Sequence, residues 1–170
     1  MMGVPMSTES PSHIPQLAPG LPPRGDWEPV NDHCAIARTL GVVSTRTAFL
    51  IMREAFYGAT RFDQFAERAQ VSEPVAAARL RELTEAGLLE KVPYREPGQR
   101  TRYEYQLTDQ GADLLPTLLA LFDWGERWLF PNGARIGFNH AGCGAPVHAV
   151  IACEAGHPVS AAQIEITRRR

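Results

Sequence analysis

The sequence predicts a mainly helical fold carrying one small β-hairpin, and three observations between Arg61 and Leu107 support that expectation. Phe62, Phe65 and Ala66 recur at helical spacing up to Ala69, and Val71-Ser72 then offers a tight turn. A second amphipathic segment puts Ala76, Leu80 and Leu83 on one face and ends at Ala86-Gly87, where glycine supplies a left-handed turn. Two alternating strands, Leu89 to Tyr94 and Thr101 to Leu107, then flank Glu96-Pro97-Gly98-Gln99. That order is a helix-turn-helix followed by a β-wing, a unit suited to holding one helix in a groove of duplex DNA.

The remaining elements follow in chain order. Residues 1–30 hold seven of the fourteen prolines and little apolar periodicity, which predicts a disordered extension. Asn31 or Asp32 is expected to cap a first helix through Cys34 to Leu40, ending at Gly41. Ser44 or Thr45 caps a second helix from about Arg46 to Tyr57, stopped by Gly58, with Ala48, Ile51, Met52, Ala55 and Phe56 inward. The third and fourth helices form the helix-turn-helix, with Ser72 capping the fourth. In the second strand Tyr103, Tyr105 and Leu107 alternate with Arg102, Glu104 and Gln106, so one face is expected buried and the other wet.

Thr108 caps a last long helix over residues 109–129, which Pro116 should kink or split. Its apolar residues make two adjacent stripes, one through Leu114, Leu118, Leu121 and Trp128, the other through Leu115, Leu119, Phe122 and Leu129. Two stripes exceed what one small domain covers, so a symmetric homodimer through the first and last helices is expected. The alternative is that residues 135–166 fold back over the second stripe. The domain layout expected is an extension over 1–30, a DNA-binding and dimerisation domain over 31–130, and a small hairpin-like tail over 131–170.

Composition limits the function. At 170 residues the chain has room for one domain with a core, plus tails. No apolar run reaches the roughly 20 residues that span a bilayer, and no secretory leader is visible, so a cytoplasmic protein without membrane attachment is expected. Three widely spaced cysteines argue for reduced thiols rather than a disulfide framework. The net charge of −2 is unusual for a nucleic-acid binder. Locally, however, residues 91–102 carry Lys91, Arg95, Arg100 and Arg102 against Glu96 alone. There is no glycine-rich phosphate loop, nucleophile elbow or paired catalytic constellation, so neither an enzyme nor a cofactor is expected.

The helix-turn-helix suggests which residues would meet DNA. With Ala76, Leu80 and Leu83 inward, the fourth helix turns Pro74, Ala77, Ala78, Arg81 and Glu85 outward, with Ser72 and Glu73 at its tip. Ala77 and Ala78 can touch thymine methyls, Ser72 can bond a phosphate or base edge, and Arg81 is the one long donor. Glu73 suits the helix dipole and repels phosphate unless it accepts from a cytosine amino group. Arg95, Arg100 and Arg102 of the wing are expected to supply much of the phosphate binding, while Arg79 is placed either to pair with an acid or to reach DNA. A protein-interaction module built on the same fold is the alternative, which the acidic balance and the alanine-rich reader would suit.

Several motifs together resemble the HxlR-type winged-helix transcriptional regulators of bacteria. They are Cys34-Ala-Ile-Ala-Arg38, Arg61-Phe-Asp-Gln-Phe65, Arg79-Leu-Arg-Glu-Leu83, Glu85-Ala-Gly-Leu-Leu89 and Arg102-Tyr-Glu-Tyr-Gln-Leu-Thr108, followed by Gly111, Leu114-Leu-Pro116 and Trp124-Gly-Glu-Arg-Trp128. The resemblance spans residues 32–129 and implies a homodimeric repressor or activator, repressor being the expectation, on a palindromic double-stranded operator. One departure is Ser44-Thr45-Arg46-Thr47, where the family usually has Gly-Gly-Lys-Trp. The lost tryptophan loosens the junction of the first two helices or frames a pocket there, near Phe49, Met52 and Trp128. The resemblance also makes Cys34 a candidate redox sensor, because a helix's first turn favours thiolate; the alternative is a small buried hydrophobe.

The tail carries His140-x2-Cys143 and Cys153-x3-His157, a spacing like two zinc knuckles. Gly156 stands where a ribbon would place another cysteine, so a degenerate ribbon without metal is expected, zinc on His140, Cys143, Cys153 and His157 being the alternative, and Val147 to Ile151 forms one strand of its hairpin in either case.

Overall fold

The computed structural model describes residues 14–22, 34–43, 45–95, 98 and 101–168. They fall into two compact units, one within Val30–Ala149 and one combining 14–22 with 150–168. The first element, β1 (Gln16–Leu17), belongs to the smaller unit. The larger unit begins with α1 (Ala35–Val43), α2 (Arg46–Phe56), α3 (Phe62–Arg68) and α4 (Glu73–Glu85). Two strands follow, β2 (Leu89–Tyr94) and β3 (Arg102–Leu107), and then α5 (Asp109–Ala112) and α6 (Leu115–Leu129). The expected caps Asn31, Asp32 and Ser44 lie outside the described residues.

The caps explain most helix boundaries. Thr45 accepts a hydrogen bond from the Ala48 amide at 3.0 Å and starts α2, and Gly58 at φ +83° follows its end. At α3 the Gln64 carboxamide accepts from the backbone amides of Thr60 and Arg61 at 3.0 and 3.2 Å. After α4 the amides of Gly87 and Leu88 return to the carbonyls of Thr84 and Leu83, closing a Schellman turn around Gly87 at φ +76°. The expected stop of α1 at Gly41 is corrected: the helix continues to Val43, whose side chain is almost wholly buried and draws the extra turn onto the core.

The core joins α2, α3, α4 and the root of the hairpin. Ile51, Met52, Phe65, Leu80, Leu83 and Leu89 are among its largest fully buried side chains, and Ala76 of α4 is fully buried as well. Each such burial contributes about 1.5–3 kcal/mol relative to exposure. Phe65 meets the edge of Tyr105 at 6.0 Å between centroids. Glu54 is also buried, with Arg53 donating to its carboxylate at 2.8 Å.

β2 and β3 pair antiparallel from Leu89↔Leu107 to Tyr94↔Arg102. The Tyr105 amide donates to Thr60 O at 2.8 Å, so the segment before α3 acts as a third, one-bond strand. The expectation that Tyr103 is buried with Tyr105 is corrected: it shares that face but remains 53% exposed, because the helical layer ends beneath Tyr105.

Pro116 does break the last helical stretch. α5 ends at Ala112, and α6 begins at Leu115 with Pro116 in its first turn, where a missing N–H has no partner to lose. Thr108 caps α5 by accepting from Gly111 N at 3.0 Å and donates its hydroxyl to Gly87 O at 2.5 Å. Gly111 abuts Leu88 so closely that a β-carbon there would sit 2.0 Å from the Leu88 carbonyl oxygen.

The tail departs from the expected layout, because residues 134–149 pack within the larger unit. Phe138 meets Phe122 of α6 edge-on at 5.0 Å and Tyr57 at 6.1 Å. Asp123 accepts from the Ala149 amide at 2.8 Å and lies 3.2 Å from His148 Nδ1. Val147 to Ile151 forms no strand: Val147 N bonds Phe138 O, and the ladder goes no further than isolated bridges. In the smaller unit β1 pairs parallel with β4 (Glu165–Ile166), after a 3-10 turn over Ala161–Gln163. The expectation of disorder throughout 1–30 is therefore corrected at Gln16–Leu17, since two ladder residues need no apolar periodicity; residues 1–13 and 23–33 lie outside the described ones.

Gly111→Ala should destabilise the protein by roughly 1–3 kcal/mol or more, since backbone and not a mobile side chain meets the new methyl. Thermal melting of the variant beside the parent chain checks this, and an unchanged midpoint would refute the close approach.

Candidate nucleic-acid interface

α3 and α4 meet through the four residues 69–72, in which Gln70 takes a left-handed conformation at φ +54°. A non-glycine residue there costs about 1–2 kcal/mol, met by the buried contacts on either side. The sequence reading placed the tight turn one step later, at Val71-Ser72. Val71 N donates to Ala66 O and Ala76 N to Ser72 O, which fixes the angle between the helices.

α4 presents two different faces. Ala76, Leu80 and Leu83 are buried, whereas Ser72, Glu73, Pro74, Ala77, Arg81 and Glu85 are exposed. Ala78 is half-buried, leaving Ala77 as the small residue on the outer face. Val75, which the sequence reading did not single out, is 41% exposed on the flank and adds a second apolar contact point. Ser72 holds the N-cap position, yet its side chain makes no capping hydrogen bond, so the expected capping role is corrected and Pro74 in the first turn shapes the start instead.

The arginines divide by partner. Arg79 is ion-paired with Glu82 on its own helix, which resolves its two expected fates towards pairing. Arg81 Nε lies 3.8 Å from Glu85 Oε1, a solvent-exposed pair of the kind that holds a side chain weakly. Arg95 and Arg102 are exposed on the hairpin. Arg100 lies outside the described residues.

Between the start of α3 and the hairpin lies an open groove of about 540 Å³, lined among others by Arg61, Phe62, Lys91, Tyr94, Arg102 and Tyr103. The Arg61 guanidinium sits 5.2 Å from the Tyr94 ring centroid and 3.8 Å from Glu104 Oε1. Lys91 Nζ lies 5.4 and 5.5 Å from the rings of Tyr103 and Tyr105. The sequence reading missed this groove. The two-residue period that puts Lys91, Tyr103 and Tyr105 on one face was the available signal. The pocket expected near Phe49 and Met52 is corrected, because Met52 is fully buried and Phe49 packs against the core.

Cys34 is half-buried and immediately precedes α1, its carbonyl accepting from Arg38 N at 3.0 Å; it caps the helix rather than sitting in its first turn. In the tail His140 Nδ1 lies 3.2 Å from Cys143 Sγ, and Cys153 Sγ lies 3.7 Å from His157 Nδ1. Among the described residues no three His, Cys, Asp or Glu side chains are grouped to hold a metal ion. No single described helix is long and apolar enough to cross a membrane.

A helix-turn-helix with an exposed outer helix face and a two-stranded wing is thus established. A family model described as HxlR-like helix-turn-helix matches residues 42–132, over half the chain. The chain belongs to the HxlR-like family. An uncharacterised HTH-type transcriptional regulator of Mycobacterium bovis, Mb3122, is 40% identical over 111 residues, 65% of this chain and 69% of the relative. Among solved structures, PA1607, named as a candidate transcription factor, superposes with a TM-score of 0.72 at 34% identity, covering 81% of this chain and 96% of its own. The redox regulator HypR in its reduced form gives 0.50 at 25% identity, over 55% of this chain and 92% of its own. The fold of this HxlR-like chain is therefore that of winged-helix transcription factors, and its relatives are HTH-type transcriptional regulators.

Proposed function

We propose that the protein is a homodimeric, sequence-specific DNA-binding regulator, acting as a repressor on a palindromic operator. The observation that carries this is the outer face of α4: Ser72, Pro74, Ala77 and Arg81 are exposed, on a helix whose opposite face is locked into the core. Small residues allow close approach to base edges, and Arg81 can exchange its weak partner Glu85 for a guanine or phosphate. Arg95 and Arg102, exposed on the hairpin, would contact the phosphate backbone, where their charge offsets the net −2 locally.

The dimer reading rests on α6 and α1. α6 has no buried residue, although it is one of the most apolar segments of the chain. Trp124 and Trp128 on α6 are 58% and 66% exposed, and Ile36 on α1 is 72% exposed. Surface of this kind on two helices is what a two-fold partner would cover, setting two α4 helices one half-site apart. Cys34 opens α1, so thiol modification there would act at the same interface. Similarity to the redox regulator HypR favours a thiol-reactive signal.

In mobility-shift titrations, Arg81→Ala should cost about 1–3 kcal/mol and relax selection at one base position. Arg102→Ala should weaken all duplexes alike and reduce the salt slope by about one. Operator affinity unaffected by both changes would refute the interface, and binding that does not rise as salt is lowered would favour a protein-interaction module. The double variant Trp124→Glu, Trp128→Glu should sediment as a folded monomer at micromolar concentration where the parent chain is a dimer; a monomeric parent chain removes the dimer. Diamide should release DNA from the parent chain and leave Cys34→Ser bound, and equal responses would eliminate the sensor role.

A further inference from the structure

We propose that the groove between the start of α3 and the β2–β3 hairpin is an effector site for a small planar aromatic anion. Its volume of about 540 Å³ lies within the usual range for small-molecule sites. The lining combines two chemistries that such a ligand needs together. Phe62, Tyr94, Tyr103 and Tyr105 supply ring faces, while Arg61, Lys91 and Arg102 supply three positive charges, against Asp63 in the lining and Glu104 beside Arg61. Lys91 and Arg61 already lie over tyrosine rings, at 5.4 and 5.2 Å, so cation and π-face are offered side by side. A ligand carrying a ring and a carboxylate would satisfy both at once.

Lys91 and Arg61 cover part of this aromatic surface, and core packing leaves the rest open. Tyr103 lies beyond the core and stays half exposed, although its neighbour Tyr105 on the same face is buried. A passing phosphate backbone would accept from the cations and the tyrosine hydroxyls and leave the ring faces without partners. The groove also touches the parts that orient the wing. Tyr105 forms its floor, bonds Thr60 O through its amide at 2.8 Å and meets Phe65 edge-on in the core. Filling the groove would therefore push the distal half of the hairpin relative to α3 and α4. Ligand binding itself does not depend on the DNA reading; its effect on operator affinity does.

The test uses the full-length chain with 2-naphthoate as probe, cyclohexanecarboxylate as an anion without a ring, and 2-naphthylmethanol as a ring without charge. Calorimetric titration should give saturable naphthoate binding with a Kd below about 1 mM, and about tenfold weaker binding of either control. Tyr103→Ala and Lys91→Gln, each shown by thermal melting to be folded, should each weaken naphthoate about tenfold. Absence of saturable naphthoate binding, or equal binding by parent chain and both variants, overturns the proposal. Loss of duplex binding in those variants without any naphthoate binding would assign the groove to a DNA strand and overturns it as well. Naphthoate binding that is sensitive to both substitutions, in a chain that binds no duplex, would leave the groove assignment standing and remove the DNA reading.

Discussion

The burial of Leu80 and Leu83 in one cluster with Ile51, Met52 and Phe65 is the constraint on which the rest depends. It fixes the rotation of α4 about its own axis, and with it the direction in which Ser72, Ala77 and Arg81 point. One step of rotation along the sequence turns a helix by about 100°, enough to exchange a polar face for an apolar one. The same residues hold the root of the hairpin through Leu89 and Tyr105, so wing and reading helix share one foundation. Interface geometry and core packing are here a single problem.

Most of that foundation could be read from the residues alone. Apolar spacing in α2, α3 and α4, glycines at helix ends and Gly98 at φ +77° between the strands each correspond to a local rule, and the structure follows them. The HxlR-like family came from the same residues, because its motifs sit at packing and turn positions. Where the sequence misled, tertiary contacts overrode local preference. Gly41 does not stop α1 because Val43 gains more by reaching the core than a glycine costs in a helix. The left-handed residue in the turn is Gln70, a choice no propensity would favour.

The candidate site was legible in one half and hidden in the other. The outer face of α4 follows from a period of 3.6 residues, and so does its exposure. The groove depends on where the helical layer stops along β3, which no period reports: Tyr103 and Tyr105 have identical patterning and different burial. The tail was similarly opaque, because Phe138 finds Phe122 and Tyr57 across long sequence separations. Its packing covers one side of α6 and leaves Trp124 and Trp128 exposed, so the tail covers the apolar stripes only in part.

The hairpin is clamped where it leaves the helices. Thr108 N donates to Leu88 O, the Thr108 hydroxyl donates to Gly87 O, and Gly111 sits tight against Leu88. With both legs bolted down within a few residues, the ribbon has no hinge at its base. Any change of pose must come from flexing of the outer rungs beyond Tyr105, as in a springboard. Arg61 at the start of α3 reaches those rungs, 5.2 Å from the Tyr94 ring centroid and 3.8 Å from Glu104, so strain in the ribbon is passed to the helices through that side chain.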